Sequence, residues 1–128
     1  MSLMTYIVED SATIRDNLIS TLEEIAPVHV IGYAETEHEA SLWLGDHLGE
    51  WQLAIVDLFL REGSGLGVVK GCQNRLRHQK LVVLTNYATT EIRRRCAELG
   101  ADAVFDKSNE LELLIDYCAS SNITKLRH

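Results

Sequence analysis

No run of this chain approaches the ~20 consecutive apolar residues a helix needs to cross a bilayer, and no stretch has the layout of a signal peptide. The protein is therefore expected to be soluble and cytoplasmic, with no membrane partner. Cysteine is scarce, and Cys72, Cys96 and Cys118 are odd in number and far apart. That excludes a disulfide framework or thiolate metal site and predicts small core residues in a reducing compartment. Basic residues are outnumbered, 12 Lys and Arg against 19 Asp and Glu, for a net charge of -7. Such a balance argues against this domain alone holding nucleic acid by its phosphates. There is no internal repeat, linker or low-complexity tract, and the five histidines show no ligand spacing and read as surface residues. Gly63-Ser64-Gly65-Leu66-Gly67 lacks the spacing of a dinucleotide fingerprint and reads instead as a flexible approach to a helix.

What is present is enough apolar material, 46% of 128 residues, for one core and one domain. Met1-Ser2-Leu3 precedes a second methionine, Met4, and resembles a leader added for expression. Residues 1–3 are set aside on that ground, leaving a domain over 4–121 and a tail over 122–128.

Five apolar runs alternate with five helical patterns. The strands are predicted at Thr5–Val8, Val28–Tyr33, Leu53–Val56, Leu81–Leu84 and Ala103–Phe105, each nearly continuously apolar, as parallel strands covered on both faces should be. A helix from Ser11 to Ile25 aligns Ile14, Leu18, Leu22 and Ile25. The next opens on a capping box, Thr36 to Glu39, and turns Ala40, Trp43 and Leu44 inward. A third, Gly65 to Arg77, offers Leu66, Val69 and Leu76. A fourth, Thr90 to Leu99, offers Ile92, Cys96 and Leu99 and stops at Gly100, a natural C-cap. The last, Asn109 to Ala119, offers Leu111, Leu114, Ile115 and Cys118. This alternation predicts an α/β fold, an open parallel sheet between two helical layers.

Ligands of such sheets bind beyond the carboxyl ends of the strands. There the first strand runs into Glu9-Asp10, the third into Asp57, the fourth into Thr85 and the fifth into Lys107. Crowded carboxylates need a cation to stay ionised, and Mg²⁺ suits oxygen donors while keeping positions open for phosphate oxygens. Asp57 then serves as a nucleophile toward a phosphoryl group, with Thr85 and Lys107 stabilising its charge. Singly, each residue has a plainer role: Asp10 and Ser11 as a helix cap, Asp57 as a turn residue. Their joint placement at the strand ends is what favours chemistry.

These segments resemble the receiver domain of bacterial two-component response regulators across nearly the whole chain. The resemblance lies in Ile7-Val8-Glu9-Asp10-Ser11, Val56-Asp57-Leu58 with Gly63-Ser64-Gly65, Leu84-Thr85-Asn86, and Gly100-Ala101-Asp102 leading to Lys107. It implies a flavodoxin-like three-layer sandwich with strand order 2-1-3-4-5. It further implies a signalling switch, rather than an enzyme, that takes a phosphoryl group onto Asp57 from a histidine kinase or phosphotransfer protein. Asp10, Asp57 and the backbone carbonyl of Phe59 would bind Mg²⁺ directly and Glu9 through water; Thr85, Asn86 and Lys107 would hold the phosphoryl group. The face formed by the fourth helix, fifth strand and fifth helix would meet a downstream protein or a second copy.

Three positions depart from the family pattern. Ser108 follows the lysine where proline is usual, and Leu60-Arg61-Glu62 replaces a proline-containing loop. The aromatic switch position is Val104, and alternation sends the neighbouring Phe105 to the opposite sheet face. Tyr87, two residues after Thr85, is the expected substitute, and Phe59 and Tyr87 are expected to tune dephosphorylation. Arg93, Arg94 and Arg95 form a basic cluster on the fourth helix, with Asp102, Asp106 and Asp116 as possible complements in a self-contact. A haloacid-dehalogenase-type phosphatase is disfavoured because Phe59 occupies the place of its second aspartate. A pseudo-receiver that is never phosphorylated, and a receiver cut from a DNA-binding regulator, remain as alternatives.

Overall fold

The computed structural model describes residues 2–120. The expected tail at 122–128 lies outside them. Ten elements alternate: β1 (Leu3–Val8), α1 (Ala12–Ile25), β2 (Val28–Ala34), α2 (Glu37–Asp46), β3 (Leu53–Val56), α3 (Gly65–Gly71), β4 (Lys80–Thr85), α4 (Thr90–Glu98), β5 (Ala103–Asp106) and α5 (Leu111–Ala119). The strands form one parallel sheet in the order β2-β1-β3-β4-β5. This is the flavodoxin-like order, and it puts the reversal of strand order between β1 and β3.

Two cores flank the sheet. On one face Tyr6, Val8, Ala54, Val56, Leu81 and Val83 meet Ala40 and Leu44 of α2, Val68 and Val69 of α3, and Cys96 of α4. On the other, Leu3, Ile7, Leu53, Ile55, Val82 and Leu84 meet Leu18 and Leu22 of α1 and Leu114 and Cys118 of α5. Each buried valine, leucine or isoleucine among them contributes roughly 1.5–3 kcal/mol by leaving water. The cysteines are buried, as expected, and burial pushes the Cys118 thiol up to about 12.

Several expectations need correction. Leu3 cannot be set aside from the fold: it opens β1, is fully buried, pairs with Val28 and donates its amide to the Pro27 carbonyl at 2.7 Å. In α1 the inward stripe is Arg15, Leu18 and Leu22, so Ile25 and Ile14 are exposed, Ile14 by 42%. α3 ends at Gly71, six residues before Arg77, and Leu76 is 41% exposed. Gly65, Gly67 and Gly71 give α3 little intrinsic helicity. The backbone beyond it is captured instead by side chains: Arg75 donates to the Cys72 and Gln79 carbonyls, and the Gln79 amide oxygen accepts from the Leu76 amide. His47 is not a free surface residue, for its ring stacks on Trp43 at 4.1 Å, and Trp43 stacks in turn on Tyr6. The Thr36 cap forms as read, its hydroxyl accepting the Glu39 amide, although the Glu39 carboxylate accepts the Thr36 hydroxyl instead of the backbone amide; the stop at Gly100 (φ +104°) also forms.

Candidate functional site

The parallel register brings the chemistry together. Val8 of β1 lies opposite Val56 of β3, so the residues that follow, Glu9 and Asp57, leave the sheet side by side. The Asp57 amide donates to the Val8 carbonyl at 2.9 Å, and the Glu9 amide to the Ala34 carbonyl at 2.9 Å. One carboxylate oxygen from each of Glu9, Asp10 and Asp57 lies within 4.8 Å of the others. Glu9 is 2% and Asp57 8% exposed.

Lys107 closes the set from β5. Its amide donates to the Thr85 carbonyl at 2.9 Å, and its Nζ reaches Glu9 Oε1 at 2.5 Å and Asp57 Oδ2 at 3.1 Å. Thr85 is fully buried, and its hydroxyl oxygen accepts the Tyr87 amide at 3.2 Å. Asn86 is exposed and accepts a hydrogen bond from the Ser108 hydroxyl. The rings of Phe59 and Tyr87, both solvent-exposed, meet edge to face at 4.8 Å and join the loops after β3 and β4. Val104 packs toward α4, while Phe105 lies in the opposite core against Tyr117, as alternation requires. No cis peptide occurs among the described residues, so the Lys107–Ser108 bond is trans.

The electrostatics follow from burial. Loss of water raises the Glu9 pKa, and Asp57 adds to the rise; hydrogen bonds from Lys107 and the Ser11 amide oppose it. Burial alone would lower Lys107, but its bond to Glu9 and its attraction to Asp57 outweigh that and raise it, so the ammonium persists. One ammonium among three carboxylates leaves a surplus of acidic groups, two of them buried and Asp10 half-buried. A hard divalent cation with an oxygen preference matches that donor set, and Mg²⁺ fits it.

Arg15 was not read from the sequence as part of this region, and Gly65 entered only within the Gly63-Ser64-Gly65 match and as part of a flexible approach to a helix. Buried Arg15 donates to the Glu9 carbonyl at 3.2 Å and to Glu35 at 3.0 Å, and stacks over Tyr33 at 3.9 Å; Glu35 also binds Arg61. Its only signal was a cation at helical spacing from Leu18 and Leu22. Gly65 lies so close to the acceptor strand that a Cβ there would fall 2.1 Å from the Asp57 carbonyl oxygen. The arginine cluster on α4 is largely committed within the molecule. Arg93 binds the Ala88 and Val104 carbonyls and Glu110, and Arg94 binds Glu91 and Glu98 of its own helix. Asp102 pairs with Arg75, and Asp106 accepts the Ser108 and Asn109 amides, so these two acids are engaged internally as well.

A family model, the response regulator receiver domain, matches residues 5–119. The chain belongs to the response regulator receiver family. Solved receivers share its fold at low identity. One is the receiver domain of a putative Luxo repressor protein from Vibrio parahaemolyticus, with TM-score 0.78 and 17% identity, covering 99% of this chain and 94% of that one. Another is a response regulator from Burkholderia pseudomallei with a phosphorylated aspartic acid, calcium ion and citrate, with TM-score 0.77 and 22% identity, covering 98% and 71%. A third is RcsB from Salmonella enterica serovar Typhimurium bound to promoter DNA, with TM-score 0.68 and 20% identity, covering 99% and 66%. A search of curated proteins by sequence finds no match. Receivers of this family are signalling modules rather than conventional enzymes. Among the described residues of this receiver, no helix is long and apolar enough to cross a membrane.

Proposed function

We propose that this receiver accepts a phosphoryl group on Asp57 from the phosphohistidine of a histidine kinase or phosphotransfer protein, with Mg²⁺ held by Asp10, Asp57 and the Phe59 carbonyl, and by Glu9 through water. The observation that carries the reading is Lys107, drawn between Glu9 and Asp57 inside a cluster of three carboxylates. When bound, Mg²⁺ would neutralise charge on the transferring group. A carboxylate oxygen of Asp57 forms the new P–O bond as the P–N bond to the donor imidazole breaks, and the imidazole departs as a neutral base after taking up a proton. Lys107 gives its ammonium to a phosphoryl oxygen, Thr85 turns its hydroxyl toward another, and Asn86 borders the group. Phosphoryl transfer asks mainly for such positioning and charge compensation. The solved Burkholderia relative, which carries a phosphorylated aspartic acid and a calcium ion, supports the assignment by its likeness of fold.

The outward signal passes through the loop after β4. Turning Thr85 toward phosphate would disturb the bond its oxygen accepts from the Tyr87 amide, so Tyr87 takes the mobile aromatic role that Val104 cannot. The α4–β5–α5 face then meets a downstream protein or a second copy, and no nucleic acid is engaged by this domain alone. The site of action is cytoplasmic.

Acetyl phosphate with and without Mg²⁺, followed by intact mass, tests the acceptor. One added phosphoryl group that requires both Mg²⁺ and Asp57 is expected, and Asp57→Asn removes it. A parent chain that gains no mass and does not bind beryllofluoride is instead a pseudo-receiver. Tyr87→Ala tests the switch: it should phosphorylate normally yet lose phosphorylation-dependent changes in the amide NMR shifts of α4. Unchanged α4 shifts in that variant would assign the switch elsewhere.

A further inference from the structure

The loop that joins Asp57 to α3 contains no proline, yet it must present the Phe59 carbonyl at a fixed place if the reading above holds. Its near half is held by its own backbone: the Gly65 amide donates to the Leu58 carbonyl at 2.9 Å, and Phe59 and Ser64 form an antiparallel bridge. Its far half is held from α2. The Glu37 amide donates to the Glu62 carbonyl at 3.1 Å, and the Glu37 carboxylate accepts the Ser64 amide at 2.8 Å, so one residue grips the loop in both directions. Two glycines make room for it. A Cβ at Gly63 (φ +78°) would lie 2.5 Å from Glu37 Cβ, and a Cβ at Gly67 would lie 2.3 Å from its Oε2. The glycine-rich stretch is thus the socket of a carboxylate, rather than merely a pliant approach to α3.

We infer that Glu37 is a positioning residue for the metal centre, acting through Ser64 and Phe59 on the carbonyl that faces the ion. This rests on the proposed Mg²⁺ reading. It assigns to α2, which contributes no ligand, a share of the affinity for the ion. Residues that orient ligands from outside the coordination sphere typically hold about 10–100-fold in metal affinity. Since Glu37 acts on one ligand among several, a loss near the lower end, about 10-fold, is expected for Glu37→Ala.

The test is a Mg²⁺ titration of the unphosphorylated protein, read by backbone amide NMR shifts of Asp57 and Phe59, with urea stability measured in parallel. Glu37→Gln keeps an oxygen for the Ser64 amide and should bind within about 3-fold of the parent, since a neutral acceptor makes a somewhat weaker bond than an ionised one. Gly67→Ala places a methyl group against the Glu37 carboxylate, the movable end of a side chain, while favouring the helix; it should weaken Mg²⁺ binding in the same direction without unfolding. It alone decides the matter if Glu37→Ala fails to fold. Affinities for Glu37→Ala and Gly67→Ala equal to the parent overturn the inference, as does a Gln variant as weak as the Ala one. No Mg²⁺ binding by the parent chain overturns the metal reading and this inference with it.

Discussion

The two ends of the sheet treat polar groups in opposite ways. At the amino end of the strands, every major group has its complement. Arg75 donates to the Cys72, Gln79 and Gly100 carbonyls and pairs with Asp102 at 2.7 Å, Asp102 accepts the Leu81 amide, and fully buried Gln79 donates to the Trp51 carbonyl. At the carboxyl end, three carboxylates cluster, one lysine pairs with two of them, Glu9 and Asp57, and two aromatic rings nearby are exposed to solvent. The first arrangement is balanced in charge among the described residues, with Arg75 set against Asp102. The second is incomplete in charge. Buried groups whose pKa values are perturbed by burial and crowding mark functional ground more often than structural ground. The contrast says which end of this molecule is built for stability and which for exchange with another molecule.

The contrast can be broken at either end. The largest effect is expected at the amino end: Arg75→Ala leaves Asp102 without its cation and the Cys72, Gln79 and Gly100 carbonyls without the guanidinium donor, and should lower stability by about 2 kcal/mol in urea denaturation. Phosphoryl uptake from acetyl phosphate should survive wherever that variant is folded; a loss of uptake in the folded variant would show that the two ends are not separable. A smaller effect is expected at the carboxyl end, and it depends on pH. The folded-state pKa of Glu9 is raised, so the native state holds its proton at pH values where the unfolded chain has released it. Without Mg²⁺, stability should therefore fall as pH climbs from the ordinary carboxylate range through the raised Glu9 value, which urea denaturation across that range would read. Asp57→Asn removes a charge that helps raise Glu9 and should make that fall shallower. A pH profile unchanged by Asp57→Asn would mean that the carboxylates are not crowded in solution.

Most of the site was legible because a parallel sheet puts chemistry at strand ends, and apolar runs locate those ends to within a residue. Glu9, Asp57, Thr85 and Lys107 could be placed at one edge without knowing any contact, and the structure brings them together there. What could not be read depends on side chains that cross between elements. The grip of Glu37 on Ser64 links α2 to a loop 27 positions away, and sequence shows only a capping box and some glycines. The early end of α3 has the same origin: Leu76 has helical spacing, but Arg75 and Gln79 take over the backbone groups that a longer helix would have used. Arg15 misled the reading of α1 because a guanidinium stacked on Tyr33 can occupy an inward position that apolar pattern assigns to Ile14.

The contact between Gly65 and the Asp57 carbonyl sets apart two kinds of permanence. A side chain at position 65 would collide with backbone, whatever the side chain of residue 57 might be. On the proposed reading, loss of the acid would cost the domain its phosphoryl acceptor and leave its architecture standing, whereas loss of the glycine would distort the crossing between β3 and α3. In lineages that drift away from this chain, the glycine should therefore outlast the aspartate. The acid would record what a protein still does, and the glycine only what it descended from.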